Sequence, residues 1–250
     1  MQRYFYKFMT INDHTFYNLE KNQIWFTSPL KFNDPFDFFI PYSLNFTNDE
    51  FKKIVPLLPG YSKEQYEQML VHYKENPKEL EKWSEIGHTR FTSKIRVACF
   101  CEEKTNILMW SHYANFHKGL CLKFDSFYDK QFFHKDDWDY HKMPIKEVNY
   151  PKEIKKINYF KDNNDFFVNC AYTKYHQWNY EKEHRIISMV DAIQYNKECL
   201  VEVNFGCKCK QENERKIIEI IELNKYPNVK FIKAIKSMKK FALEFKEIKV

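Results

Sequence analysis

Apolar and polar residues change their period several times along the chain, and each change predicts an element. Tyr4 to Met9 reads as a strand, Asp13 opens a short helix through Leu19, and Gln23 to Thr27 returns as a second strand before Pro29. Asn48 to Thr92 takes helical spacing instead: Phe51, Ile54, Val55 and Leu58, then Tyr66, Met69, Leu70 and Tyr73, then Leu80, Trp83 and Ile86, interrupted at Pro56, Pro59 and Pro77. Ile95 to Cys101 is again a strand, Asn106 to Phe116 a helix and Gly119 to Phe124 a strand, before aromatic and lysine-rich irregular sequence over 126–170. Strands over Glu183 to Val190 and Leu200 to Phe205, an amphipathic helix over Glu212 to Leu223, and strands over Val229 to Ile235 and Phe241 to Ile248 complete the pattern. Hairpin-like and helix-crossed strands together predict an α+β fold, one domain over 1–250 with a helical insertion at about 48–92. Tyr4 to Met9, Ile95 to Cys101 and Glu183 to Val190 are expected in one central sheet, with the insertion outside it.

Composition narrows the function classes. Glycine occurs only at Gly60, Gly87, Gly119 and Gly206, so a Walker loop, a dinucleotide Gly-x-Gly-x-x-Gly turn and a kinase glycine loop are excluded. A mean hydropathy of -0.68 and short apolar runs predict no membrane partner, and the opening residues lack a signal-peptide pattern, so a cytoplasmic location is expected. Seven cysteines include two Cys-x-Cys pairs, Cys99/Cys101 and Cys207/Cys209. They lack the Cys-x-x-Cys turns of structural zinc sites, and no metal is expected there. The net charge of +6 is concentrated late, at Lys230, Lys233, Lys236, Lys239, Lys240, Lys246 and Lys249. That bias reads either as solubility or as a basic face toward nucleic acid or another polyanion.

Several polar residues stand where burial would be costly. Lys7 lies between Tyr6 and Phe8 on a strand, so its ammonium either meets a phosphate or carboxylate or snorkels to water. Asn33 and Asp34 precede Pro35; either they line a cleft rim with the Asp34 carboxylate free to act, or they cap a turn. On the 106–116 helix, Trp110, Tyr113 and His117 form a stripe beside His112 that serves either as packing or as a stacking wall for a nicotinamide or nucleobase. His112 or His117 is a candidate general base. On a strand, Glu181, Glu183 and Arg185 share one face, giving either a structural pair or an oriented carboxylate. Glu181 is expected to be a surface acid.

Four motifs in order, Asn33-Asp-Pro-Phe36, Met109-Trp-Ser-His-Tyr-Ala114, His117-Lys-Gly119 and Tyr180-Glu-Lys-Glu-His-Arg185, resemble the bacterial domain-of-unknown-function family twenty-nine seventy-one over roughly Tyr4 to Lys208. Cys101 departs from that pattern, which more often has serine there. Phe5-Tyr-Lys-Phe-Met-Thr10, then Asn18-Leu19 and Ile24-Trp-Phe26, are similar to the opening of the DNA-targeting ADP-ribosyltransferase toxins, with Lys7 where that group has histidine. This second resemblance implies sheets of ADP-ribosyltransferase-like type, NAD as substrate, and Glu183 as the carboxylate beside the ribose. It also implies Lys7, Asn33, Asp34, Trp110, Tyr113, His117 and Arg185 around NAD, His112 as base, and a nucleic-acid or protein acceptor, in a toxin or phage-defence effector. The rival classes are a metal-dependent nuclease drawing on Asp34, Glu102, Glu181 or Glu183 with a histidine, and a binding module without catalysis.

Overall fold

A computed structural model of the chain describes residues 4–54, 62–125, 132 and 145–249, the side chains of 163–165 excepted. Val55, Pro56, Leu58 and Pro59, and much of the irregular stretch over 126–170, lie outside the described residues. Along the chain the described elements are β1 Phe5–Met9, α1 Asp13–Glu20, β2 Gln23–Trp25, β3 Tyr42–Ser43, α2 Asn48–Ile54, α3 Lys63–Glu75, α4 Pro77–Lys94, β4 Arg96–Cys101, α5 Ile107–Tyr113 and β5 Leu120–Phe124. There follow β6 Lys146–Glu147, β7 Ile157–Asn158, α6 Asn163–Tyr172, β8 Glu183–Ser188, β9 Ala192–Gln194, β10 Leu200–Phe205, α7 Gln211–Leu223, β11 Lys230–Lys236 and β12 Leu243–Glu247. The fold is α+β with a mainly antiparallel sheet. Contacts divide the chain into two units: Met1–Thr27, Arg96–Val148 and Asn179–Val250 form the first, and Ser28–Ile95 with Asn149–Trp178 the second.

In the first unit eight strands form one sheet in the order β12-β11-β10-β5-β1-β4-β8-β6. The expected core set, β1, β4 and β8, are neighbours in it. All pairings are antiparallel except β10 with β11, which α7 connects as a β-α-β crossover. β4 and β8 pair in register from Arg96↔Ser188 to Cys101↔Glu183, whereas β1 and β4 share a single register pair, Tyr6↔Cys101. Because side chains alternate, each strand supplies both faces of the sheet. Phe5, Phe100, Leu120, Leu122, Phe124, Ile186, Val203 and Phe205 pack one face with α1 and α7 residues, and Tyr6, Phe8, Cys101 and Cys121 meet Met109 and Trp110 of α5 on the other. β2, expected as a plain return strand, pairs with β9 in a separate two-stranded sheet.

The second unit contains the helical stretch read from the 3.6-residue spacing. Phe51, Tyr66, Leu70 and Leu80 from that stretch pack with Tyr159, Phe160 and Phe166. Ser62 and Gln65 form a reciprocal capping box that starts α3, and Pro77 opens α4 where its missing N–H costs nothing. Among the described residues no helix is long and apolar enough to cross a membrane.

Candidate functional site

β8 is a six-residue strand with every residue buried, yet it reads Glu-His-Arg-Ile-Ile-Ser. Its alternation explains how the charges are tolerated. His184 points to the apolar side, its ring 4.9 Å from that of Phe5. Glu183 and Arg185 point to the opposite side, in register with Cys101 and Cys99. The Arg185 guanidinium donates from Nε to Glu183 Oε1 at 2.7 Å and from Nη2 to Oε2 at 3.0 Å, a bidentate pair with the side chains 0% and 6% exposed. The Cys99 thiol is hydrogen-bonded to Glu183; burial and that carboxylate's charge push its pKa well up. Burial likewise raises Cys101, so both thiols are held protonated and unreactive as nucleophiles.

Lys7 approaches from β1. Its register partner is Leu122, which puts its Cα on the opposite parity from Glu183, and its ammonium lies 5.1 Å from the centre of the Phe100 ring. The chain bends back enough for Nζ to donate to the Cys99 carbonyl oxygen at 3.2 Å. Burial lowers the Lys7 pKa, while the neighbouring Cys99 and Glu183 oppose that shift. Lys7 and Glu183 therefore stand within electrostatic reach of one another, from first and third of three adjacent strands.

Glu181 is not the surface acid expected. It is 2% exposed, and the Tyr113 hydroxyl of α5 donates to its Oε1 at 2.5 Å. Burial first, then the Glu181 charge and this bond, push the Tyr113 pKa far up. The segment just before β8 is a short 3-10 turn, His176–Glu181, that tucks Glu181 inward, and a strand-face argument misses it. A tyrosine at helical spacing opposite two closely spaced glutamates was the available signal.

The histidine and tryptophan positions divide differently. Trp110 is 0% exposed, donates from Nε1 to the Lys104 carbonyl oxygen at 2.7 Å and meets Phe8 edge-on at 5.0 Å. It is a core residue with no face open to a ligand, which corrects the stacking-wall expectation for that side chain. His112 is exposed, its ring 6.4 Å from that of Tyr180. His117 lies beyond the helix, which ends at Tyr113 rather than Phe116: Asn115, Phe116 and His117 take φ of 47°, 54° and 68°, three left-handed residues in a row. The turn is held by His117 N–H to the Trp110 carbonyl oxygen at 3.0 Å and Ser111 Oγ with His117 Nε2 at 3.0 Å. Burial and Lys208 lower the His117 pKa.

Asn33 and Asp34 belong to the second unit. Asn33 is exposed. The Asp34 carboxylate is not free to act: it is buried and accepts from the Phe36 N–H at 2.9 Å, the turn-capping alternative. All seven cysteines are free thiols, and among the described residues no cluster of three or more His, Cys, Asp or Glu is placed to hold a metal ion.

The family model described as Protein of unknown function (DUF2971) matches residues 109–186. The family resemblance is borne out. The match is narrower than the stretch over which the motifs run, and it takes in Tyr113, Glu181, Glu183 and Arg185. No curated protein and no solved structure matches this chain significantly.

Proposed function

We propose that the first unit is a sheet of ADP-ribosyltransferase-like type that cleaves the nicotinamide–ribose bond of NAD and passes ADP-ribose to an acceptor or to water, as a toxin or phage-defence effector does. The reading rests on one observation: adjacent strands β1, β4 and β8 bring Lys7 within electrostatic reach of a strand-borne glutamate whose orientation a bidentate arginine fixes. As the C1′–N bond breaks, its electron pair leaves with nicotinamide and positive charge grows on the ribose; a carboxylate held beside it favours the transition state over the ground state. Glu183 takes that role, Arg185 orients it or receives the pyrophosphate, and Lys7 meets a phosphate or ribose oxygen. His112, exposed at the end of α5, is the candidate base for an acceptor hydroxyl.

One observation favours the second reading, a binding module without catalysis: both Glu183 oxygens already accept from Arg185 and the pair is buried. NAD consumption by the purified chain separates the two. Glu183→Gln is expected to lower turnover by about a hundredfold, the scale of a lost charge contact of roughly 3 kcal/mol. Apparent NAD affinity should change far less. Since Glu181 is buried, the control is the exposed Glu219 of α7, whose Gln variant keeps wild-type turnover. An active wild type with a fully active, folded Glu183→Gln variant moves the chemistry elsewhere; an inactive wild type that binds NAD supports the module.

A further inference from the structure

The lysines concentrated late in the sequence do not act as one face. Lys233 is partly buried, ion-paired with Glu214 and donating to the Cys209 carbonyl oxygen at 3.1 Å, so it serves the fold. Lys236, Lys239 and Lys240 instead gather at the turn joining β11 to β12. Residues 225–243 carry Lys225, Lys230, Lys233, Lys236, Lys239 and Lys240 and no acid. At the same turn Met238 is 96% and Phe241 103% exposed, above every other exposed large apolar residue described. The turn has a closed backbone: Ser237 N–H donates to the Ala242 carbonyl oxygen at 3.0 Å, Ala242 N–H to that of Lys240 at 2.8 Å, and Lys239 N–H to Ser237 Oγ at 3.2 Å. On that turn the two apolar side chains stand fully exposed, next in sequence to the exposed Lys239 and Lys240.

Single exposed apolar residues are ordinary on a protein surface, but two fully hydrated ones on one tip, interleaved with cations, are not. The interleaving identifies the partner. Apolar tips enter the boundary between headgroups and acyl chains, while the lysine stems lie along it and their ammonium groups reach lipid phosphates. A single-stranded nucleic acid calls for a groove with successive aromatic platforms, and this tip offers one ring and a thioether. We propose that the β11–β12 hairpin docks the chain reversibly on an anionic lipid surface. This departs from the expectation of no membrane partner, which rested on the lack of spanning segments. β12 and β8 are six strand steps apart in the sheet, about 29 Å at roughly 4.8 Å per step, so docking leaves Glu183 uninvolved.

Co-sedimentation of the full chain with phosphatidylcholine vesicles, with and without phosphatidylglycerol, tests this, alongside a single-stranded oligonucleotide as a separate arm. Binding is expected only with phosphatidylglycerol and is expected to fade with added salt. Lys239→Gln/Lys240→Gln should weaken it roughly 25-fold, from about a fivefold loss for each lysine. Met238→Ser/Phe241→Ser should weaken it at least about tenfold. These exposed positions leave thermal unfolding unchanged, which the same samples check. Equal binding to both vesicle types, indifference to both double variants, no binding to vesicles, or Phe241-dependent binding of the oligonucleotide alone would each overturn the proposal.

Discussion

Arg185→Met removes the cation from a pair whose side chains are 0% and 6% exposed while leaving the Glu183 carboxylate in place. Breaking a buried pair from one side costs about 3–5 kcal/mol, because the remaining charge is left desolvated. Lys7, within electrostatic reach of Glu183, leaves some positive charge nearby, so the cost is set at the lower end, about 3 kcal/mol. Against a total stability of about 5–15 kcal/mol that is a large fraction. Glu183→Met/Arg185→Met removes both charges at similar volume and should return to within about 1 kcal/mol of the wild type. The cycle therefore predicts a coupling of at least about 2 kcal/mol. Urea unfolding followed by circular dichroism reads each variant, comparing midpoints at equal slopes. A single Arg185→Met loss below about 1 kcal/mol, or a double variant no better than the single, would refute the reasoning.

The other expectations concern the frame around the pair. A Cβ on Gly206 would collide with the His117 carbonyl and press on that of Gly119, so Gly206→Ala should cost roughly 2 kcal/mol and lower Tm by about 4–8 °C; an unchanged Tm would mean that the left-handed turn and the end of β10 are not packed this closely. Buried Cys101, Cys121, Cys170 and Cys209 all have pKa values raised from 9.0, to about 12 for Cys170 and about 11 for Cys209, so the folded chain keeps protons that the unfolded chain releases. These four thiols alone should lower stability as pH rises above the unfolded value of 9.0, by about 6 kcal/mol at pH 10 from about 1.4 kcal/mol for each, and Cys99, also raised, acts in the same direction. Lys7, with its pKa lowered, opposes part of that loss between its folded value and 10.5; a urea midpoint flat from pH 7 to 10 contradicts the burial of these thiols.

The parts of the fold that the sequence announces are those where period and burial agree. β1 and β4 are legible because the largely apolar runs on them are bounded by turns, and α2, α3 and α4 because their apolar positions recur at helical spacing. β2 looks like a main-sheet strand in sequence, and only its pairing with β9, far along the chain, places it elsewhere. The helix before His117 stops early in a turn that its own local bonds share with contacts from far along the chain: Lys208 N–H donates to the His117 carbonyl oxygen at 2.9 Å and Gly206 leaves it room. Nothing local forces three successive non-glycine residues into the left-handed region. Lys7 was legible as a costly residue, whereas the burial of Glu181 was not, since it depends on a hydroxyl from α5.

A carboxylate that stabilises a developing cation has to be both fixed and available, and in Glu183 the two demands meet at one arginine. Arg185 fixes the group through both oxygens, and the Cys99 thiol is a further hydrogen-bond partner, so a ribose hydroxyl would have to take the place of one of these contacts. The same guanidinium also offsets the charge that catalysis would use. On the proposed reading, therefore, a substrate pyrophosphate has to draw Arg185 toward itself, freeing the Glu183 field as the ribose becomes cationic, and the coupling energy of the pair sets how much must be exchanged. A purely structural pair has no such exchange: Arg185→Met would cost stability, and Glu183→Gln, which keeps an oxygen acceptor for the arginine, would change no turnover. The stability cycle and the turnover assay thus ask different questions of the same two hydrogen bonds, and only a site in which both respond has a glutamate that is held in order to react.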